Sequence, residues 1–307
     1  MSGLARQHGA ALLLVMWLIA LLAALVGAFA LTARVEHLQG RVLVRGLVAE
    51  NAARAGLEYA LTRVAASEPR RQWLPDGRPH RWRYGDAEVE VKVVDENGKI
   101  DLNQADVTLL AQYIHGFEVD QQRAATLAAA IVDWRDPDSL TQPAGGGEDN
   151  EYEGAGLPYG AKDAEFESVA ELEQVLGFTP ELYARMAPHL TVFSGRVRPD
   201  PAFASAEVLD AMGMNGADVV ALRQQWNPAS GQPPPTLPDG GSLVGGSSGT
   251  YSIESRARLA DRREAVLRAV VRAGGGPPGA AYTPLRWQVG DYLPLSSASV
   301  EEGASPR

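Results

Sequence analysis

The chain has 307 residues, with 28 basic and 38 acidic side chains and a formal net charge of −10. A 45% hydrophobic and 21% charged composition suits a foldable chain of about two domains and excludes a wholly disordered one; only one stretch is long and apolar enough to span a bilayer, which excludes a polytopic membrane protein. The acidic balance argues against a broad nucleic-acid footprint, and the absence of cysteine excludes disulfides, thiolate nucleophiles and cysteine-ligated metals.

Ala10 to Leu31 is a run of 22 uncharged, mostly large apolar residues. As a helix it measures about 33 Å, enough for a hydrocarbon core of about 30 Å. The direct reading is a single membrane span with a short head before it and the rest of the chain on the other side. The alternatives are a plain anchor or a cleaved secretory signal, for which Ala28-Phe29-Ala30 offers a small-residue site. From Thr32 to about Ser67 no proline occurs, and Val35, Leu38 and Val42, then Leu57, Leu61 and Val64, recur at intervals of three and four. The spacing therefore predicts one helix over 10–67, apolar in its first half and amphipathic in its second. Gly40, Gly46 and Gly56 each weaken it by about 1 kcal/mol relative to alanine, and each permits close approach of a neighbour.

Between Arg81 and Val94, alternation of Ala87, Val89, Val91 and Val93 with Glu88, Glu90 and Lys92 predicts a half-buried strand, closed by the turn signal Glu96-Asn97-Gly98. Helical units with glycine breaks follow. The first runs through Leu109, Leu110 and Ile114 to His115-Gly116-Phe117, the second from about Asp120 to Trp134. Another spans Ser168–Leu176, breaks at Gly177 and resumes after Thr179-Pro180, a good N-cap and first helical residue. A weaker echo runs through Ser205–Met212, Gly213 and Asp218–Trp226. Such hairpins build small cores, or hold DNA phosphates at helix N-termini. Charge decides between these uses: 101–189 holds 17 acidic and 4 basic residues, a net −13, against +3 for the remainder. That surface repels a phosphate backbone.

An acidic loop lies between the helical units: Asp136, Asp138, Glu148, Asp149, Glu151, Glu153 and Asp163, with Gly145-Gly146-Gly147 allowing a sharp reversal. Taken alone, such a loop is more often a solvated surface. As a binding site, its hard oxygen ligands suit calcium, although the order is not that of an EF-hand. No catalytic phrase occurs: the five histidines are scattered, and nucleophile-elbow and phosphate-loop motifs are absent. Residues 227–250 are rich in Pro, Gly and Ser and read as a flexible connection. Tyr251–Leu259, Glu264–Arg272 and Tyr282–Val289 read as three strands, and 296–307 as a disordered tail.

The ordered phrases Asp101-Leu102-Asn103-Gln104-Ala105, Trp134-Arg135-Asp136-Pro137-Asp138, Gly146-Gly147-Glu148-Asp149-Asn150-Glu151-Tyr152, Pro158-Tyr159, Asp163-Ala164-Glu165-Phe166 and Val169-Ala170-Glu171-Leu172 resemble those of the K-type minor pseudopilins of the type II secretion system. The family's second Asn-rich phrase is nearly lost, replaced by Asp200-Pro201-Ala202-Phe203-Ala204-Ser205. Gly9-Ala10 resembles the pilin-like junction that a prepilin peptidase cuts. Leu14 stands at the fifth mature position, where most pilin-like proteins have Glu and this group does not.

The resemblance implies an α+β fold: a pilin-like long N-terminal helix and small antiparallel sheet, with an inserted all-α helical-hairpin domain. Its segments would be a leader at 1–9, a helix at 10–67 with the span at 10–31, sheet at 68–100, the acidic insertion at 101–189, and the remaining pilin-like part at 190–295. It implies a non-enzymatic tip subunit, N-terminally methylated and anchored in the bacterial inner membrane with a periplasmic domain. Its partners would be other minor pseudopilins, the prepilin peptidase and the exported protein. It also implies structural calcium, held by Asp136, Asp138, Glu148, Asp149 and Glu151, with Asp163 next. The rival reading, a membrane-anchored hairpin protein for DNA uptake, requires a basic face that the helical region lacks.

Overall fold

The computed structural model describes residues 8–238, 240–274 and 280–290. Residues 1–7 of the expected leader and the expected tail at 296–307 lie outside them. The first element, α1, is a single helix, His8–Val64. It starts before the Gly9-Ala10 junction and stops three residues short of Ser67.

The strands are β1 (Asp76–Tyr84), β2 (Ala87–Asp95), β3 (Ile100–Asp101), β4 (Leu190–Thr191), β5 (Thr250–Arg258), β6 (Glu264–Ala273) and β7 (Tyr282–Val289). Five of them form an antiparallel sheet in the order β1-β2-β5-β6-β7. The three strands expected after residue 250 appear within a residue of their expected ends. The single strand expected between Arg81 and Val94 is a hairpin instead, broken at Gly85-Asp86. Its first strand escaped the period-two test because its inward side chains are His80, Trp82 and Tyr84, rings with polar atoms rather than aliphatics.

Alternation then fixes the faces. Val89, Val91 and Val93 on β2, Ile253 and Ala257 on β5, and Leu267, Ala269 and Val271 on β6 all point to one side and are buried there. Ala49, Ala52, Ala53, Leu57, Ala60 and Val64 of α1 cover them. Small residues on the helix bring its backbone close to the sheet. Tyr59, Trp73, Trp82 and His80 close the end of this core: Tyr59 stacks on Trp82 at 4.5 Å and Trp73 on His80 at 4.1 Å. None of the residues from Ala11 to His37, the apolar part of α1, is buried.

Between β2 and β5 the chain builds a second core from α2 (Val107–His115), α3 (Gln121–Arg135), α4 (Asp149–Gly154), α5 (Pro180–Met186), α6 (Ala206–Ala211) and α7 (Gly216–Gln225). Asp106, Asp120, Thr179, Ser205 and Asn215 cap five of these helices. The Val169–Gln174 stretch, expected as α-helix, is a 3-10 helix. This core does not end near residue 189. It takes in Leu190, Ala204, Val208, Leu209, Ala211, Val219 and Leu243, so the helical unit continues to Leu243. Leu243 is 1% exposed and pins the 227–250 connection to that core.

Candidate functional site

Three places carry polar or processing chemistry; the sequence singles out the first and the third. At the N-terminal end, Gly9 and Ala10 lie in the first turn of α1. Leu14 is 70% exposed on the same helix, an apolar side chain on an uncovered apolar rod.

The second place is the seat where the two cores meet. Asp76 on β1 accepts from the Arg78 guanidinium at 2.7–3.0 Å. The same guanidinium donates to the carbonyls of Arg223 (2.9 Å) and Trp226 (3.2 Å) at the end of α7. A cation thus satisfies carbonyls at the negative end of a helix. Arg223, 2% exposed, donates to the carbonyls of Pro201 (2.8 Å) and Ala204 (2.9 Å), with its Nε 3.7 Å from Asp76. Glu96 forms the second joint: it receives Lys99 Nζ at 2.8 Å, Ser252 Oγ at 2.6 Å and the Thr191 hydroxyl. Ser252 belongs to the sheet and Thr191 to β4 beside the helical core.

Arg223 also reveals a duplication. Asp101 accepts from the amide of Asn103 at 2.9 Å, and Arg135 at the end of α3 donates to the carbonyls of Leu102 and Ala105. Asp200 accepts from the amide of Ala202 at 2.9 Å, and Arg223 on α7 binds the carbonyls of Pro201 and Ala204. The phrase that looked nearly lost in sequence keeps its geometry, because a turning Asp and carbonyl acceptors need no particular side chains between them.

The third place is the acidic loop. Its hub is Asp133, inside α3 and fully buried, which sequence reading missed. Asp133 accepts from the amides of Gly147 (2.8 Å) and Gln142 (3.3 Å) and so holds the loop against the helix. Burial raises its pKa, and Asp136 and Glu151 add to the rise. Glu148, 6% exposed, is pushed up to about 7, first by burial and then by Asp133, Asp163, Asp138 and Asp149. The six candidate ligands therefore all fall within electrostatic reach of Asp133 or Glu148. Asp136 and Asp138 spend oxygens on turn amides, Asp138 accepting from Leu140 at 2.8 Å. Glu151 accepts from the Glu148 amide at 3.0 Å. Glu148 Oε1 is buried without a hydrogen-bond partner, an orphan acceptor that a hard cation satisfies. Among the described residues no three acidic or histidine side chains form a ready-made cage. The donor chemistry fits calcium, while a preformed ligand geometry is not present.

A long helix, bare at one end and laid on an antiparallel sheet at the other, with a helical unit between β2 and β5, defines a pilin-like protein with an inserted helical domain. Residues 91–195 match the family described as type II secretion system, protein K. The match covers about a third of the chain, most of the first helical part of the inserted domain with the end of β2. It is 35% identical over 109 residues to the type II secretion system protein K of Aeromonas hydrophila, covering 33% of each chain. It is also 35% identical over 75 residues to that of Pectobacterium carotovorum subsp. carotovorum, covering 24% of this chain and 22% of the relative. Each match spans a third or less of the curated relative's length. A chain in the crystal structure of the GspK-GspI-GspJ complex from the enterotoxigenic Escherichia coli type 2 secretion system shares the fold. The TM-score is 0.56 at 19% identity, over 82% of this chain and 98% of that one.

Proposed function

We propose that the chain is a minor pseudopilin that occupies the tip of a type II secretion pseudopilus and supports export of folded proteins. One observation carries this reading: a single 57-residue helix joins an uncovered apolar span to a sheet, and the first part of the domain inserted in that sheet matches the protein K family. The work done is assembly, not turnover. The span holds the subunit in the inner membrane with its head in the periplasm. Cleavage after Gly9 by a prepilin peptidase frees the helix to pack beside those of other minor pseudopilins. The helical unit, tied to the sheet through Arg78, Arg223 and Glu96, forms a broad rigid cap that blocks a further subunit from stacking above. Leu14 supports the topmost place, since no carboxylate is there to pair with a neighbour. Calcium at the acidic loop would supply positive charge to Glu148, Asp149, Asp138 and Asp163 and satisfy Glu148 Oε1; its role is structural.

The test is mass spectrometry of the N-terminus after co-expression with the prepilin peptidase of the same secretion system. The expected product begins at Ala10. Retention of residues 1–9, or cleavage after the apolar run, overturns the reading.

A further inference from the structure

The loop that follows β4, residues 194–199, carries charge of the opposite sign to its surroundings. Residues 101–189 hold 17 acidic and 4 basic side chains. Across 190–226 three arginines occur: Arg223 is buried in the seat, whereas Arg196 and Arg198 are exposed. Val197 stands between them, 54% exposed. Among the described residues neither guanidinium is paired with a carboxylate; Arg196 Nε donates to the Arg198 carbonyl at 3.4 Å, which leaves its terminal nitrogens open. Two exposed arginines alone are an ordinary solvated surface. What sets this pair apart is how its loop is held.

Asp101, 1% exposed, anchors one side of it. Its Oδ2 accepts from the Ser194 amide (3.1 Å), the Ser194 hydroxyl (3.0 Å) and the Gly195 amide (2.8 Å). On the other side Pro199 is buried, and the Asp200 amide donates to the Asn97 carbonyl at 2.7 Å. Gly195 turns the chain just past the Asp101 anchor with φ 63°, in the left-handed region that glycine enters without steric cost. The Arg196-Val197-Arg198 apex is thus fixed at both ends by buried groups. Little backbone freedom remains to be lost when a partner settles on it.

We propose that this apex is a docking knob for a protein partner that presents a local group of carboxylates on an otherwise basic or neutral face. The side chains choose the chemistry. A guanidinium is a planar fork that takes a carboxylate or a phosphate with two parallel hydrogen bonds, and arginine is enriched among the residues that dominate interface energetics. Charge complementarity decides between the two acids. A membrane surface or a nucleic acid is a continuous polyanion, which the net −13 of 101–189 repels. Carboxylates confined to one spot on a protein avoid that repulsion, and a basic surround is drawn to the acidic unit. Val197 fits the same partner, since an exposed valine is stabilised by burial beside the ion pairs. The inference goes beyond the pilin-like reading: it needs only the helical unit and its loop, not a place in a filament.

The chain is tested whole, in membranes, co-expressed with the other components of its own secretion system. A photocrosslinking amino acid is placed at Val197 and, as a control, at Leu222, 48% exposed on α7. Position 197 should yield an adduct whose crosslinked peptide maps, by mass spectrometry, beside Asp or Glu residues of one protein, and position 222 should not. The adduct should weaken as salt is raised. Arg196→Gln with Arg198→Gln, which removes both charges, should weaken it further, and Arg196→Glu with Arg198→Glu should abolish it. Changing the mapped carboxylates to arginine should restore the adduct in that charge-reversed chain, a recovery that a misfolded chain could not give. No adduct, an adduct to lipid, the same adduct from position 222, one that survives charge reversal, or one that the swap does not restore overturns the proposal. Processing between Gly9 and Ala10 is read in the same samples, so failure of the docking knob and failure of the pilin-like reading are told apart.

Discussion

A Cβ built on Gly56 of α1 would stand 2.2 Å from Ser255 Oγ of β5 and 2.7 Å from Val89 Cγ1 of β2. The helix interior pays about 1 kcal/mol in propensity for this glycine, and the close seating of α1 on the sheet is what it permits. Gly56→Ala should therefore destabilise the chain by about 1–3 kcal/mol, the cost of overpacking, instead of gaining the usual helix benefit. Ser255 is fully buried and its hydroxyl has no hydrogen-bond partner. Ser255→Ala should thus be neutral or stabilising by about 1 kcal/mol, and should recover part of the loss in the double variant. Chemical denaturation of the four proteins checks this; a Gly56→Ala chain as stable as the parent would reject the packing account.

Arg223 makes a larger prediction. Its guanidinium is buried, bonded to two carbonyls and close to Asp76. Arg223→Met removes the fork and leaves the Pro201 and Ala204 carbonyls unpaired, with Asp76 keeping only Arg78. Loss of one partner from a buried charged network costs about 3–5 kcal/mol. Arg223→Lys should recover little, because an ammonium cannot span two carbonyls with a planar fork. Thermal unfolding would show the drop, and a lysine variant with parental stability would reject the fork.

Buried Glu148 and half-buried His80 should give opposite pH slopes. Glu148 is raised from 4.5 to about 7. Between those values the folded chain keeps a proton that the unfolded chain has released, so stability falls as pH rises through this window. His80 is lowered from 6.5 to about 4, chiefly by burial, with Arg78 and Arg63 adding to the effect and Asp76 opposing it. Between 4 and 6.5 the unfolded chain holds the extra proton, so this contribution grows as pH rises. Denaturant midpoints between pH 5 and 7 should steepen upward for Glu148→Gln and downward for His80→Gln. Equal slopes in all three proteins would contradict both assignments.

Calcium should act on the first of these groups and not on the second. Calorimetric titration should show heat of binding and a raised Tm, and the Glu148→Gln chain should lose most of both. The metal should also flatten the falling Glu148 slope, since a cation favours the carboxylate. No heat and no shift in Tm would remove calcium from the account.

What the sequence determined by itself is what length and local periodicity carry. The apolar run gives an exposed apolar segment long enough to span a bilayer, the proline-free continuation gives one long rod, and alternation gives β2. Thr179-Pro180 announced a helix start because capping is a contact between near neighbours. The acidic loop was visible as composition, and its ordered phrases pointed to the family. Tertiary structure alone decided the rest. Asp133 sits in an apolar helical stretch, and only the return of the chain fourteen residues later brings the Gly147 amide to it. The strand Asp76–Tyr84 hides its inward face behind rings. The helical unit closes at Leu243 rather than near residue 189, because Arg223 and Leu243 complete its core from beyond that point. Burial and long-range pairing depend on where distant segments meet, and no local pattern encodes that.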